Sequence, residues 1–257
     1  MVSLAIEAAR EAGSFLKSNL GKVKTIEKKL GQETNLVTEI DKGAEEIIIR
    51  CIKARYPHHS ILAEESGDNL SRSDYRWVID PLDGTTNFTH GFPIFSVSIG
   101  IEFKGAMVGG VVYDPNSDEM FSAEKGGGAF VNGTKIAVST AGRLVESLLV
   151  TGFPYNVSEK PDHVVEHFEK FLLEAQGIRR LGSAALDLAY VAAGRLDGYW
   201  EIYLNPWDKA AGMVLVAEAG GIVTNFYGQA ASIYEKNTLA SNGRIHRQML
   251  AVLKKSL

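Results

Sequence analysis

Two aspartates follow a strongly apolar segment, and their spacing gives them the clearest chemical potential in the chain. Trp77-Val78-Ile79 is typical of a buried strand, and it runs directly into Asp80-Pro81-Leu82-Asp83-Gly84. Pro81 restricts the backbone between the acids and Gly84 permits a turn after them, so both carboxylates can point towards one place. Two carboxylates about 4 Å apart repel by roughly 4 kcal/mol at an effective dielectric constant of about 20. The pair therefore predicts a cation site, and its hard oxygen ligands favour Mg²⁺, Mn²⁺ or Ca²⁺ over zinc or copper.

The next residues form a candidate anion site. The segment Gly84-Thr85-Thr86-Asn87 combines a glycine with a predicted helix start. Free backbone N–H groups in the first turn of a helix bind anions, and a cation site beside an anion site is what a phosphate monoester requires. The alternative is purely structural, with the two aspartates capping a turn and Thr85 capping a helix.

Further acidic residues stand at the ends of other predicted elements. Glu64 and Glu65 follow a short apolar run, and Asp208 comes just before a predicted helix. Taken singly, the glutamates are typical of a solvated loop and Asp208 is typical of a helix N-cap. Together with the aspartate pair, they indicate a site built from several carboxylates.

The elements that must position these residues follow two patterns. Apolar residues at helical spacing predict a first helix that stops at Gly21 and a second helix over residues 41–55. Apolar runs separated by turn residues predict an antiparallel meander over residues 95–138, and strands then alternate with helices. We therefore expect an α+β half (residues 1–140) with the main metal motifs and an α/β half (residues 141–257) with Asp208 and substrate contacts, joined in one compact unit.

The composition excludes several classes of protein. With 27 Lys+Arg, 31 Asp+Glu, a net charge of −4 and 45% hydrophobic residues, the chain resembles neither a disordered protein nor one whose main partner is nucleic acid. The single cysteine, Cys51, excludes an internal disulfide and a multi-thiolate metal site. No segment has the pattern of a membrane span or an export signal, so we expect a cytoplasmic protein without a membrane partner.

The longer motifs resemble those of the inositol monophosphatase family. In chain order they are Glu64-Glu65-Ser66, Asp80-Pro81-Leu82-Asp83-Gly84-Thr85-Thr86-Asn87, Trp207-Asp208-Lys209-Ala210-Ala211-Gly212 and Glu218-Ala219-Gly220-Gly221. The likeness extends over residues 36–221. It implies a layered αβαβα sandwich of mixed α+β and α/β class, of the inositol monophosphatase and fructose-1,6-bisphosphatase type. It also implies a homodimer and a Mg²⁺-dependent, lithium-sensitive hydrolysis of a small phosphorylated polyol or sugar.

The resemblance implies metal ligands residue by residue. The first ion would be held by Glu64, Asp80 and the carbonyl of Leu82, and the second by Asp80, Asp83 and Asp208. A third, weaker ion would use Glu64 and residues 27–35, a polar segment that we interpret as a mobile loop. Two or three Mg²⁺ ions are thus expected, with Mn²⁺ as a substitute, and paired ions suit the slow hydrolysis of a phosphate monoester.

The resemblance also implies catalytic and binding roles. The catalytic set is Asp41, Thr85 and Glu64, in which Asp41 pairs with Thr85 to orient the attacking water. Phosphate would contact Gly84 and Thr85, and the rest of the substrate would contact Asp83, Gly182, Ser183, Ala184 and Glu201. Two alternatives stay open on residue type alone, because Asp41 is also typical of a helix N-cap and Glu201 of an exposed charge at a strand end.

Two other groups of residues are interpreted without a function. Arg179 and Arg180 would be ordinary surface charges, although a second phosphate or a partner subunit could use them. His163 and His167 are four residues apart but lack the glutamate of a zinc protease motif, which favours the solvated side of a helix.

The leading hypothesis is a phosphatase that acts on myo-inositol 1-phosphate. A dual-specificity enzyme that also removes the 1-phosphate of fructose 1,6-bisphosphate is the main alternative, and histidinol phosphate and 3′-phosphoadenosine 5′-phosphate are further candidate substrates. A regulatory binding protein associated with transcription machinery is an alternative from a different class. Residues 202–206 and the loop near Tyr155 lie outside the shared motifs and are expected to decide the substrate.

Overall fold

The structure is a computed structural model of the chain, and it describes residues 1–23, 26–28, 36–69, 71, 73–154, 157 and 163–254. In this part of the chain, no helix has both the length and the apolar character needed to cross a lipid bilayer. Tyr155 and residues 29–35 of the expected mobile loop lie outside the described residues. The first two residues assigned to that loop, Glu27 and Lys28, belong to a strand, so the prediction of a loop is wrong for them.

Helices and strands occur throughout the described part of the chain, joined by turns and loops. The helices are α1 (Val2–Asn19), α2 (Glu39–Arg55), α3 (Thr85–Thr89), α4 (Val164–Glu174), α5 (Ala184–Ala192), α6 (Pro206–Glu218), α7 (His246–Leu253) and a short 3₁₀ turn, Leu144–Glu146. The strands are β1 (Ile26–Lys28), β2 (Leu36–Thr38), β3 (Ser60–Ala63), β4 (Gly67–Asn69), β5 (Tyr75–Asp83), β6 (Ser96–Phe103), β7 (Ala106–Asp114), β8 (Glu119–Glu124), β9 (Gly128–Val131), β10 (Thr134–Ile136), β11 (Leu148–Thr151), β12 (Gly177–Arg179), β13 (Gly198–Glu201), β14 (Ile222–Thr224) and β15 (Thr238–Ser241).

These strands form two large sheets and one small antiparallel pair, β1 with β2. The first large sheet has the order β10-β9-β8-β7-β6-β5-β3-β4, and only its β3–β5 pair is parallel. Consecutive antiparallel pairing of β6 to β10 confirms the predicted meander. The second sheet has the order β12-β11-β13-β15-β14, with β11 parallel to both β12 and β13.

Helices cover the sheets in alternating layers. Helices α1 and α2 pack on one face of the eight-stranded sheet through an apolar core that includes Leu16, Ile48 and Trp77. Helices α5 and α6 fill the space between the two sheets, and α4 and α7 cover the outer face of the five-stranded sheet. Adjacent residues of β13 point into different layers, since Tyr199 packs towards α5 and Trp200 towards α4. The predicted αβαβα sandwich is therefore confirmed.

Two facing glycines let helix α6 approach the first sheet closely. Gly100 and Gly110 are cross-strand partners on β6 and β7. A Cβ on Gly100 would lie 2.7 Å from the Cβ of Ala210, and a Cβ on Gly110 would lie 2.5 Å from the carbonyl oxygen of Ala211. The absent side chains therefore make room for the first turns of α6, which carry Asp208 beside the end of β5.

We predict that Gly110→Ala destabilises the protein by about 1–3 kcal/mol, because the added methyl group overpacks a backbone contact that cannot rotate away. Urea unfolding monitored by circular dichroism measures the change. Gly142→Ala is the matched control, since its Cβ would have no neighbour within 4 Å. Equal stability of the two variants would contradict the proposed close packing.

Candidate active site

Glu64 and Asp80 are neighbours because each follows a paired residue of two parallel strands. Ala63 of β3 is in register with Ile79 of β5, and the N–H of Glu64 donates to the carbonyl of Ile79 at 3.2 Å. The side chains of Glu64 and Asp80 come within hydrogen-bonding reach of each other where the strands end. Parallel pairing thus brings together two acids that are separated by a second strand and a turn in the sequence.

A break in strand pairing at Pro81 directs Asp80 and Asp83 towards the same cavity. Asp80 is opposite Ser98 of β6, but Asp83 is opposite Ser96, so three steps along β5 match only two along β6. In a regular strand, residues three apart point to opposite faces, and the extra residue of a bulge removes this alternation. Pro81 has no N–H to lose from the ladder, which makes it well suited to the irregular position.

Asp83 joins the end of β5 to the start of helix α5. Its Oδ2 accepts from the N–H of Ala185 at 2.8 Å and from the Ser183 hydroxyl, and its Oδ1 accepts from the N–H of Ala184 at 3.2 Å. Burial raises the pKa of Asp83 to about 6, although the hydrogen bonds from Ser183, Ala185 and Ala184 oppose the shift. These hydrogen bonds place the predicted substrate-binding segment, Gly182, Ser183 and Ala184, directly beside Asp83.

Asp208 is not the N-cap of α6, contrary to the structural alternative. Asn205 occupies the cap position, and Asp208 lies three residues later, where its Oδ2 accepts from the Asn205 N–H at 2.6 Å. The same carboxylate lines the cavity that Glu64, Asp80 and Asp83 border. One side chain therefore both stabilises the first turn of α6 and contributes charge to the site.

A single cavity of about 280 Å³ collects most of the predicted site residues, and we call it the acidic cavity. Its walls include Glu64, Asp80, Leu82, Asp83, Gly84, Thr85, Glu201 and Asp208, with Phe153, Pro154, Ile202, Tyr203, Leu204, Asn205 and Lys236 around them. Every predicted ligand of the first two ions is in this set. Its volume suits a small polar ligand.

The charge of the acidic cavity is poorly compensated. Burial, and then the neighbouring carboxylate of Glu64, holds the pKa of both Asp80 and Asp208 well above the usual range. Within the described residues, no ion pair joins Asp80, Asp83 or Asp208 to a basic side chain. Buried carboxylates without a basic partner are costly to ionise, so a bound cation would stabilise the ionised forms of these acids.

The donor set fits a hard divalent ion. In the described part of the chain, no three acidic, histidine or cysteine side chains gather tightly enough to enclose an ion by themselves. The predicted ligands instead line one cavity together with Leu82, whose carbonyl is the predicted ligand that is not from a side chain. Oxygen ligands with several places left for water are typical of Mg²⁺ in sites that also bind phosphate.

Asp41 and Thr85 meet through a buried hydrogen bond. The Thr85 hydroxyl lies 2.9 Å from Oδ1 of Asp41 and 3.0 Å from the carbonyl oxygen of Leu82. Burial raises the pKa of Asp41, opposed by hydrogen bonds from Thr38 and Thr85. Thr38 is the N-cap of α2 and Asp41 closes the capping box from the third helical position, so the alternative of Asp41 as the cap residue itself is wrong.

Glu201 is not an exposed charge at a strand end. It ends β13, lines the acidic cavity, and accepts from the hydroxyl of Tyr199 at 2.7 Å. Burial raises its pKa to about 7, against the lowering effect of the Tyr199 hydrogen bond. A Cβ on Gly152 would overlap the Glu201 carboxylate, so that glycine leaves the space that this side chain occupies.

Glu45, which was not among the predicted site residues, holds the turn that follows Glu64. Glu45, which is 4% exposed, accepts from the N–H groups of Glu65 and Ser66, at 2.9 Å each. It lies one helical turn after Asp41 on the otherwise apolar inner face of α2. Two acids four residues apart on a buried face were the available signal.

Of the two interpretations made without a function, the structure corrects one. Arg180 is exposed, as expected of a surface charge, and it also lines a smaller cavity that adjoins the acidic cavity, with Asp187 nearby. His167 is buried and packs edge-on against Phe226 with ring centroids 5.6 Å apart, so only His163 of that pair is on the solvated side of α4.

Comparison with known proteins gives consistent matches over the whole chain. The family model described as "Inositol monophosphatase family" matches residues 1–257. The Nus factor SuhB of Escherichia coli K12 is 45% identical over 258 residues, covering 100% of this chain and 97% of that protein. An inositol-1-monophosphatase of Synechocystis is 47% identical over 254 residues, with 98% and 88% covered. The solved structure of inositol monophosphatase from Anabaena has a TM-score of 0.90 at 44% identity, with 99% of this chain and 95% of that chain covered.

Proposed function

Because this chain belongs to the inositol monophosphatase family of phosphatases, we propose that it hydrolyses myo-inositol 1-phosphate to inositol and phosphate in a Mg²⁺-dependent reaction. One observation carries the proposal: Glu64, Asp80, Asp83 and Asp208 line one cavity together with Thr85, and within the described residues Asp80, Asp83 and Asp208 form no ion pair with a basic side chain. We further propose that the enzyme is a cytoplasmic homodimer that lithium inhibits, as the family resemblance implies.

The ion-binding roles follow the positions of the oxygen donors. Glu64, Asp80 and the Leu82 carbonyl would hold one Mg²⁺, and Asp80, Asp83 and Asp208 would hold another, with Mn²⁺ as a substitute. When bound, such ions supply Lewis-acid stabilisation of the phosphoryl group and lower the pKa of water. A third ion at Glu64 remains part of the proposal, and its other expected ligands fall in residues 27–35.

Thr85 and Asp41 orient the attacking water. A hydroxyl has one proton, and when Thr85 donates it to Asp41 at 2.9 Å, the lone pairs of Thr85 Oγ1 are left to accept from a water molecule. That water attacks phosphorus in line while the bond to the inositol oxygen breaks, and no side chain forms a covalent intermediate. Gly84 and Thr85 begin α3, where backbone N–H groups are placed to hold the phosphate oxygens.

The substrate ring would lie between the start of α5 and the end of β13. Gly182, Ser183 and Ala184 approach Asp83 from one side, and Glu201 borders the cavity from the other. A carboxylate and backbone groups together form a surface suited to the hydroxyl groups of a polyol. This arrangement favours inositol 1-phosphate over a simple alkyl phosphate.

A substrate panel tests the proposal. Phosphate release from inositol 1-phosphate, fructose 1,6-bisphosphate, histidinol phosphate and 3′-phosphoadenosine 5′-phosphate is compared as kcat/KM with Mg²⁺, with Mn²⁺ and after chelation, followed by a lithium titration. We expect the highest value for inositol 1-phosphate, none after chelation and inhibition by lithium. Similar values for the fructose ester would establish the dual-specificity alternative, and no turnover of any ester would refute the proposal.

We predict that Glu201→Gln lowers kcat/KM for inositol 1-phosphate by about 10- to 100-fold, chiefly through KM, because a hydrogen bond to a charged group is worth about 1.5–3 kcal/mol. The hydrolysis of p-nitrophenyl phosphate, which has no ring hydroxyl groups, should change less than about threefold on the same reasoning. An equal loss on both esters would place Glu201 outside the recognition of hydroxyl groups.

A second candidate function is that of a regulatory binding protein associated with transcription machinery. It is favoured by the name of the E. coli relative, a Nus factor that is 45% identical over its matched length. An Asp208→Asn protein with no phosphatase activity separates the two functions. Restoration of a deletion phenotype by this variant would support the binding role, and failure to restore it would support the enzymatic role.

A further inference from the structure

A smaller cavity of about 80 Å³ continues the acidic cavity past Glu201, and we call it the inner cavity. Its walls are Asp83, Gly84, Gly152, Phe153, Arg180, Gly182, Ser183, Ala184, Asp187, Glu201, Leu204 and Asp208. Six of these residues also line the acidic cavity, so the two spaces are neighbours. On the same measure the acidic cavity has about 280 Å³, so the inner cavity suits a substituent of a substrate and not a whole substrate.

Asp187 is a buried acid on this wall, and one oxygen of its carboxyl has no hydrogen-bond partner among the described residues. It is 1% exposed, lies in the first turn of α5, and its Oδ1 accepts no hydrogen bond from the described residues. Burial raises its pKa well above the usual range, and the neighbouring carboxylates of Glu201 and Asp83 add to the shift. Such a group reduces the stability of the folded protein, so its presence calls for something that donates to it.

Several neighbouring polar groups are already engaged with each other, since Tyr199 donates to Glu201, and the Ser183 hydroxyl and the N–H of Ala185 donate to Asp83. The guanidinium of Arg180 attracts Asp187 through space but donates no hydrogen bond to its Oδ1. Oδ1 of Asp187 is therefore an acceptor that no donor of the described residues reaches. A ligand that donates hydrogen bonds would complete the arrangement.

The composition of the wall narrows the chemistry of that ligand. The four acids of the wall attract an ammonium group and the single guanidinium of Arg180 opposes it, so an ammonium ligand is the alternative that the test must separate. A neutral hydroxyl group donates one hydrogen bond, carries no charge and fits the small volume. We propose that Asp187 is a specificity-determining residue whose carboxyl accepts a hydrogen bond from a hydroxyl of the substrate polyol. This inference rests on the proposed hydrolysis of a polyol phosphate.

Asp187→Leu tests the inference, because leucine has a similar size and no acceptor. We expect kcat/KM for inositol 1-phosphate to fall about tenfold through an increase in KM, because one neutral hydrogen bond is lost. The value of kcat/KM for p-nitrophenyl phosphate should change less than about twofold on the same reasoning. We also expect Tm to rise by a few degrees, because an unpartnered buried carboxyl is replaced by an apolar side chain. Asp187→Asn, which keeps an acceptor oxygen, should retain most of the preference for inositol 1-phosphate.

The other outcomes are separable. A lower Tm with equal losses on both esters would assign Asp187 a purely structural role and overturn the inference. A higher Tm without a selective loss of activity would mean that the inner cavity holds only water. A selective loss of activity on O-phosphoethanolamine would mean that Asp187 binds an ammonium group. Either result would overturn the inference. Wild-type protein that hydrolyses neither ester refutes the proposed function itself and this inference with it, whereas an active wild type with an unchanged variant refutes this inference alone.

Discussion

Asp80→Asn is expected to reduce kcat/KM for inositol 1-phosphate by about 10³-fold or more at saturating Mg²⁺. Asp80 is the only residue assigned to both ions, and charge stabilisation by bound metal is worth several kcal/mol, which corresponds to about that factor in rate. Asparagine keeps an oxygen that can accept from the N–H of Leu82, which lies 3.1 Å from Oδ1 in the native protein. The loss would therefore reflect the missing charge and not a collapsed turn.

The same variant should raise Tm in the absence of Mg²⁺, whereas a damaged fold would lower it. Because the pKa of Asp80 is raised in the folded protein, ionised Asp80 disfavours folding at neutral pH when no cation is bound. We therefore expect Asp80→Asn to raise Tm in a chelator and to lose most of the increase in Tm that Mg²⁺ gives the wild type. Differential scanning fluorimetry with and without Mg²⁺ measures both effects.

Asp74→Asn is the matched control for charge. Asp74 is exposed, pairs with Lys104 at 3.4 Å, and does not line the acidic cavity. It should leave both the activity and the Mg²⁺-induced increase in Tm unchanged. If Asp80→Asn kept wild-type activity, or kept the full response to Mg²⁺, the assignment of Asp80 to both ions would be wrong.

Thr85→Val is expected to lower kcat by about 10²- to 10⁴-fold, the range associated with a positioned proton-transfer group. Valine has nearly the same shape but can neither accept from the attacking water nor donate to Asp41. Thr85→Ser restores the hydroxyl and should recover activity to within about tenfold of the wild type on the same basis. The comparison of the two variants isolates the hydroxyl, and KM should change much less than kcat.

A second threonine of the same helix controls for the loss of a hydroxyl in α3. The Thr89 hydroxyl donates to the carbonyl of Thr86 at 2.9 Å, and Thr89 is absent from the cavity wall. Thr89→Val should leave kcat close to the wild-type value. Thr85→Val with more than half of the wild-type kcat would exclude Thr85 as the group that orients water.

Local patterns predicted much of the fold and of the acidic site. The apolar run before Asp80 was expected to be a buried strand, the meander after it was expected to be antiparallel, and both are present as β5 and as β6 to β10. The predicted ligands line one cavity, as expected from motifs that are distant in sequence. Their roles in binding metal and substrate stay predictions until the variants above are measured.

Other features could not be read from local patterns. His167 has the spacing of a solvated residue, but Phe226 from a distant turn covers it. The position of Glu45 on the apolar face of α2 is a local signal, but its role is seen only where the N–H groups of Glu65 and Ser66 donate to it. In both residues the surroundings come from segments far along the chain, which helical periodicity does not describe.

By itself, the sequence determined the chemical nature of the donors and the order of the elements that carry them, since side-chain type and apolar period are local properties of the chain. Only the tertiary structure decided which acids are satisfied and which are not. Asp83 receives the amide groups of α5, whereas Oδ1 of Asp187, two residues after Ala185 on the same helix, receives nothing from the described residues. The physical reason is that hydrogen bonding and pKa depend on the groups that distant segments bring near a side chain in a medium that excludes water.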